Sequence, residues 1–225
     1  MEGTVSILFV LLTFLVVISI NYLMFRPGQA LPATPERTIS PPSPVMAKEY
    51  GFSIPQGYSF HPGHTWVMRE SQDDVRVGLD SFTAELVGKI DRIDVVKNDR
   101  WIRQGQRLMT LHAGDVTIDL LSPVEGVVTS INRDVVQDPA LAVRDPYKDG
   151  WIATVKAPDF KTNQRNLMQA SMVAPWMHYS QTKLNGEIAK LNPALAQDGG
   201  VPVTGVLLKV SPEIRQKLIN DFFLN

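Results

Sequence analysis

The side chains best suited to chemistry in this sequence are histidines and carboxylates, because the 225-residue chain contains no cysteine. The histidines are His61, His64, His112 and His178. His61 and His64 are three residues apart, a spacing that could hold a metal ion. The Pro62-Gly63 pair between them favours a tight turn, so we expect structural roles for both histidines.

A second group of polar side chains surrounds a turn at Gly114. His112, Asp115 and Asp119 could form a polar or metal-binding tip there, although a solvated turn is the simpler interpretation. The sequence has no serine in a nucleophile elbow and no glycine-rich loop ahead of a helix. It therefore predicts no catalytic residue, no metal site and no cofactor, and a protein that is not an enzyme.

Composition excludes several other classes of function. Lysine and arginine total 22 against 23 acidic residues, so the net charge of −1 leaves no basic surface for nucleic acid. The absence of cysteine excludes disulfides, cysteine-ligated zinc and thiol chemistry.

An uncharged apolar run, residues 5–25, follows a short N-terminal tail, residues 1–4. As a helix it would rise about 31 Å, close to the hydrocarbon thickness of a bilayer, so the sequence predicts one transmembrane helix. A cleaved signal peptide is the alternative, but no basic residue precedes the run. Arg26, Arg37 and Lys48 follow it, which predicts a single-pass protein with a cytoplasmic C-terminal domain.

Residues 26–57 are predicted to be a proline-rich linker. Six prolines lie between Pro27 and Pro44, and proline disfavours helix and favours the extended polyproline II conformation. The linker is either a semi-rigid spacer that can lie along a partner or a disordered tether, and the sequence leaves both open.

Short strands separated by turns predict a mainly β domain over residues 58–160. Residues 107–111 and 116–121 are two such strands, and the Gly114-Asp115 pair between them is a tight-hairpin signal. Many short strands with frequent turns are typical of a sandwich or a flattened barrel.

Residues 161–225 are predicted to be a C-terminal helical segment. Ser211 is a favourable N-cap and Pro212 a favourable first residue for a last helix that ends near Phe223. Exposed aromatic side chains at the end of a chain are unfavourable. Phe222 and Phe223 should therefore dock either on this domain or on a neighbouring protein.

The β domain contains a series of motifs in a fixed order. They are His64-Thr65-Trp66-Val67, Val77-Gly78-Leu79, Ser122-Pro123-Val124-Glu125-Gly126-Val127-Val128, Asp145-Pro146-Tyr147 and Gly150-Trp151. In order and spacing, over residues 60–158, the series resembles the H protein of the glycine cleavage system. The resemblance implies a lipoyl-domain-like flattened β-barrel with small helices. A membrane span and a proline-rich linker are not part of the standard H protein.

The resemblance also implies where the family's function would reside. In the family, one lysine at a hairpin tip carries lipoate through an amide, and this arm shuttles an aminomethyl group. Counting back from Ser122 places that position at Asp115, and no lysine lies between Lys97 and Lys148. A carboxylate cannot form the lipoyl amide, so the fold is expected without the carrier role, in a membrane-anchored, non-lipoylated relative.

Tryptophan and arginine are the side chains that most often anchor protein interfaces. The sequence therefore predicts partner-binding residues at Arg100, Trp101, Arg103, Phe222 and Phe223.

These observations predict a non-catalytic, single-span accessory or structural subunit of a membrane protein complex. Respiratory and photosynthetic electron-transport complexes are suggested as hosts by analogy. The partners would be the other subunits of that complex and the lipid bilayer. The alternative is a carrier or sensor that binds a small ligand or a metal at the former lipoyl hairpin.

Overall fold

The computed structural model describes residues 12–20, 46–49, 52–191 and 204–224. The chain divides into two compact units, Met1–Pro42 and Ser43–Asn225. In the first unit, helix α1 covers residues 12–20.

The described part of helix α1, residues 12–20, rises about 14 Å. Among all described residues, no helix combines the length and the apolar character that a membrane span requires. The predicted transmembrane helix over residues 5–25 is therefore wrong, and so is the single-pass localisation.

The second unit is built mainly of β-strands, and all pairings between its described strands are antiparallel. The strands are β1 (Met46–Glu49), β2 (Phe52–Pro55), β3 (Tyr58–Phe60), β4 (Thr65–Arg69), β5 (Asp74–Leu79), β6 (Arg92–Val95), β7 (Trp101–Ile102), β8 (Arg107–Ala113), β9 (Val116–Leu121), β10 (Gly126–Ile131), β11 (Ala153–Lys156) and β12 (Met168–Gln169).

The strands form three sheets. β1 and β2 pair within the stretch predicted to be a linker, and residues 26–45 of that linker lie outside the described residues. A seven-stranded sheet has the order β12-β3-β4-β5-β11-β10-β7, and a three-stranded sheet has the order β6-β8-β9. Inward side chains of both larger sheets, such as Val77 and Ile118, lie in one buried cluster. This arrangement agrees with the predicted mainly β sandwich.

Short helices connect the strands, and longer ones follow them. The helices are α2 (Ser81–Val87), α3 (Arg133–Gln137), α4 (Ala140–Arg144), α5 (Phe160–Gln164), α6 (Val173–Leu191) and α7 (Pro212–Phe223). Helix α7 follows Ser211 and begins at Pro212, as predicted from the cap and the proline.

Candidate functional site

The tip of the β8–β9 hairpin is the candidate site, because the family resemblance places its functional position there. Ala113 pairs with Val116, so Gly114 and Asp115 form the turn between the strands. Gly114 has a φ of 59°, a left-handed conformation that glycine adopts without steric cost. The predicted tight hairpin is therefore present, with Asp115 at its tip.

The carboxylate of Asp115 binds the side chain of a residue 100 positions away. Arg215 Nη1 donates a hydrogen bond to Asp115 Oδ2 over 2.7 Å. Nε of the same arginine donates to the carbonyl oxygen of Leu207 over 2.8 Å, which orients the guanidinium. The hydrogen bond from Arg215 lowers the pKa of Asp115, so the tip carries a negative charge held against helix α7.

His112 takes part in a separate cross-strand group. Its Nε2 lies 2.8 Å from Asp94 Oδ2 and 3.0 Å from Nη2 of Arg92, on the neighbouring strand β6. In the described part of the chain, no group of three or more histidine, aspartate or glutamate side chains is arranged to hold a metal ion. The structure thus gives His112 and Asp115 different partners and does not combine them in one site.

The other two histidines of the β domain are buried in the protein core. His64 Nδ1 lies 2.7 Å from Asp80 Oδ2, and its ring stacks between Phe82 and Trp176 at 4.2 and 4.6 Å. His61 Nδ1 accepts a hydrogen bond from the backbone of Gly63. Burial, with a smaller effect of His64, lowers the pKa of His61 to about 4.

The same Asp80 carboxylate also begins helix α2. Its Oδ1 accepts a hydrogen bond from the backbone N–H of Thr83 over 2.8 Å, as expected of an N-cap. One buried carboxylate therefore positions both a helix and an imidazole ring.

The motif residues of the β domain hold the chain together by close contacts. Trp66 packs over Gly78, where any Cβ would lie 2.5 Å from the indole ring, and its Nε1 donates to the carbonyl oxygen of Pro146. The Tyr147 hydroxyl accepts a hydrogen bond from the backbone of Ser81. These residues position backbone segments rather than reactive groups.

A family model described as "Glycine cleavage H-protein" matches residues 58–180, more than half of the chain. The chain belongs to the glycine cleavage H-protein family.

Two of the most similar relatives are glycine cleavage system H proteins of bacteria. The protein from Bifidobacterium longum is 31% identical over 106 residues, which cover 47% of this chain and 77% of the relative. The protein from Legionella pneumophila is 32% identical over 97 residues, which cover 43% and 77%. A crystal structure of the H protein from Mycobacterium marinum is 26% identical, with a TM-score of 0.49, and covers 54% of this chain and 97% of that chain.

The H-protein match ends before the segment that contacts the hairpin tip. Arg215 lies 35 positions beyond the last matched residue, on helix α7, so neither the family resemblance nor local spacing pointed to it. The sole signal in the sequence for Arg215 was its charge, which is opposite to that of Asp115. Many other lysines and arginines carry the same charge.

The predicted partner-binding residues of this H-protein relative lie in two different environments. Arg100, Trp101 and Arg103 are exposed, and 52% of the Trp101 surface is accessible. Phe222 and Phe223 are buried, at 4% and 0%. Of the two placements predicted for these phenylalanines, the structure shows docking on their own domain, beside Phe82 and His64.

Proposed function

We propose that this member of the H-protein family does not carry lipoate and acts as a non-catalytic, protein-binding module. The observation that supports this most strongly is the carboxylate of Asp115 at the tip of the β8–β9 hairpin. Attachment of lipoate forms an amide, and an amide requires an amine nucleophile at this position. Asp115 offers a carboxylate that Arg215 keeps ionised.

The contrast between the tip and the rest of the domain supports the same proposal. The motifs around Trp66 and Tyr147 keep the contacts that build the fold. The hairpin keeps its turn, while its tip bonds to a segment outside the family match. The domain keeps its fold but has no amine for lipoate attachment at the tip. This combination favours a role in which the surface of the domain binds another protein.

Two parts of the function predicted from the sequence are not included in this proposal. The membrane complex depended on a transmembrane helix, and that prediction is wrong. A ligand or metal carrier at the hairpin depended on His112 and Asp115 acting together, and each has its own charged partner instead.

A lipoylation assay with the purified full chain tests the proposal. The protein is incubated with lipoate, ATP and a lipoate–protein ligase, and its intact mass is measured. We expect no lipoyl adduct on the wild type and one adduct on the Asp115→Lys variant. Thr117→Lys is the matched control, because it adds an exposed lysine to the same hairpin away from the tip and should remain unmodified.

An adduct on the wild-type protein would refute the absence of lipoyl carriage, whichever side chain carried it. Equal modification of the Asp115→Lys and Thr117→Lys variants would show that the tip is not the position the ligase selects. Circular dichroism spectra identical to that of the wild type would establish that both variants are folded.

A further inference from the structure

Strand β7 forms one edge of the seven-stranded sheet and presents a large aromatic side chain to solvent. β7 pairs with β10 on one side and is the last strand in the sheet order. Its two side chains point in opposite directions: Ile102 is buried at 1%, whereas 52% of Trp101 is exposed. An exposed tryptophan on a sheet edge is unusual, since natural edges generally carry charged or shielded residues.

The backbone of Trp101 is directed towards the open side of the sheet. The N–H of Asp99 donates to the carbonyl oxygen of Val128, and the N–H of Val128 donates to the carbonyl oxygen of Arg100, over 2.8 and 3.0 Å. Antiparallel strands point alternate residues towards and away from their neighbour, so the N–H and C=O of Trp101 face outwards. Trp101 and Val127 thus form a non-hydrogen-bonded pair, in which neither group of Trp101 bonds to β10.

The surroundings of Trp101 carry an excess of positive charge. Lys97, Arg100 and Arg103 are exposed, and Asp99 is the single acidic residue between positions 97 and 103, so the segment has a net charge of +2. None of these three cations forms an ion pair within the part of the chain that the structure describes.

The register of the sheet extends the apolar surface of Trp101 onto the neighbouring strand β10. Trp101 is opposite Val127 on β10, and Val127 is opposite Lys156 on β11, so the three side chains lie in one row on one face. Val127 is half-buried, and Lys156 is exposed and forms no ion pair with another described residue. The row continues the apolar contact area from Trp101 to Val127, and beyond it Lys156 lies opposite Asp74 on β5.

We propose that β7 accepts an extended, acidic segment of a partner protein as an added antiparallel strand. The backbone of Trp101 would supply the hydrogen bonds, and its indole would cover an apolar side chain of the segment. Acidic side chains of the segment would lie beside Arg100 and Arg103. The net positive charge opposes pairing with a second copy of the same edge and selects a segment of opposite charge. This inference rests on the proposed protein-binding function and specifies the surface and the partner chemistry.

Fluorescence anisotropy with labelled peptides and the full chain tests the inference. The probe is Glu-Val-Glu-Thr-Glu-Val-Glu. A charge-reversed peptide replaces every glutamate by lysine, and the peptide Glu-Pro-Glu-Pro-Glu-Pro-Glu keeps the acidic charge but lacks alternate backbone donors. We expect binding of the first peptide alone. Trp101→Ala should weaken it about tenfold or more, the usual effect of losing an aromatic anchor.

Tyr179→Ala is the matched control, because Tyr179 is an aromatic residue on α6 with 65% of its surface exposed. It should leave the affinity within about twofold of the wild type. Arg103→Glu should weaken binding of the acidic peptide without exposing apolar surface. If the Trp101→Ala variant loses its cooperative melting transition, the Arg103→Glu variant takes its place in the test.

Three results would overturn the inference: equal binding of the acidic and lysine peptides, no binding of either, or undiminished binding of the proline peptide. Equal binding would exclude charge selection, and binding of the proline peptide would exclude strand addition. A wild-type protein that resists lipoylation but binds no peptide would refute this surface while leaving the proposed function intact.

Discussion

Replacement of Gly126 by alanine should destabilise the domain strongly, because the space for a side chain is filled by backbone. A Cβ at this position would overlap the carbonyl oxygen of Lys156 and lie 2.9 Å from the carbonyl carbon of the same residue and from Val155 Cγ1. Gly126 pairs with Ile102 on β7, and β10 also pairs with β11, so the strand cannot shift without breaking one ladder.

Overpacking of a core costs typically 1 to 3 kcal/mol. The upper end, about 3 kcal/mol, applies here because the obstacle is a paired backbone rather than a flexible side chain. For a chain of this size, each kcal/mol lowers the melting temperature by about 2–4 °C, so the Gly126→Ala variant should melt about 6–12 °C below the wild type. Such a decrease would show that Gly126, one of the motif residues, contributes to the stability of the fold.

Thermal and urea unfolding, followed by circular dichroism, measure this effect. Gly186→Ala is the matched control, since Gly186 lies inside α6 and a Cβ there would meet no atom within 4 Å. Alanine is the better helix former by about 1 kcal/mol, so this control should melt slightly above the wild type. A Gly126→Ala variant that melts within about 2 °C of the wild type would refute the steric argument.

Three further predictions concern buried and tethered charges. The free energy of unfolding should fall by about 2 kcal/mol between pH 7 and pH 5, because the pKa of His61 is about 4 in the folded protein and about 6.5 in the unfolded chain. The stabilisation by His61 is complete above pH 6.5 and is lost as the pH falls towards 4. The difference should be absent in His61→Gln, as urea titrations at both pH values would show. Asp80→Ala should cost about 2–4 kcal/mol by chemical denaturation, because it leaves Nδ1 of the buried His64 without a hydrogen-bond partner and α2 without its cap. Arg215→Gln should raise the pKa of Asp115 towards its ordinary value, measured by NMR titration of the carboxyl carbon, with little change in the melting temperature.

Each of these predictions has an outcome that contradicts it. A His61→Gln variant that keeps the whole pH dependence would assign the effect to other titrating groups. Near wild-type stability of Asp80→Ala would show that water replaces both of its hydrogen bonds. An unchanged titration of Asp115 in the Arg215→Gln variant would mean that the tether is absent in solution.

Local signals in the sequence predicted several elements well. The Gly114-Asp115 turn lies where the two flanking strand patterns indicated, since a two-residue hairpin depends on the turn residues and on the alternation beside them. Helix α7 begins at Pro212, as predicted, because the preference of proline for the first helical position is also local. Trp101 is exposed, and its partner-binding role stays a prediction.

The apolar N-terminal run shows where a local signal misleads. Its composition predicted a transmembrane helix over residues 5–25, and no described helix has the length and apolar character of a membrane span. Hydropathy reports the preference of side chains for an apolar environment, and this preference alone does not establish a span. The strands β1 and β2 were missed for a related reason, since proline-rich composition nearby hid a short hairpin.

The sequence by itself determined the family of this protein and the aspartate in the turn of the β8–β9 hairpin, because both follow from residue identity and spacing. Tertiary structure alone decided which residue binds that aspartate. The bond from Arg215 to Asp115 joins residues 100 positions apart, and the burial of Phe222 and Phe223 depends on the face against which α7 packs. Such contacts are selected by the global fold, in which distant segments become neighbours, and no local pattern of residues encodes them.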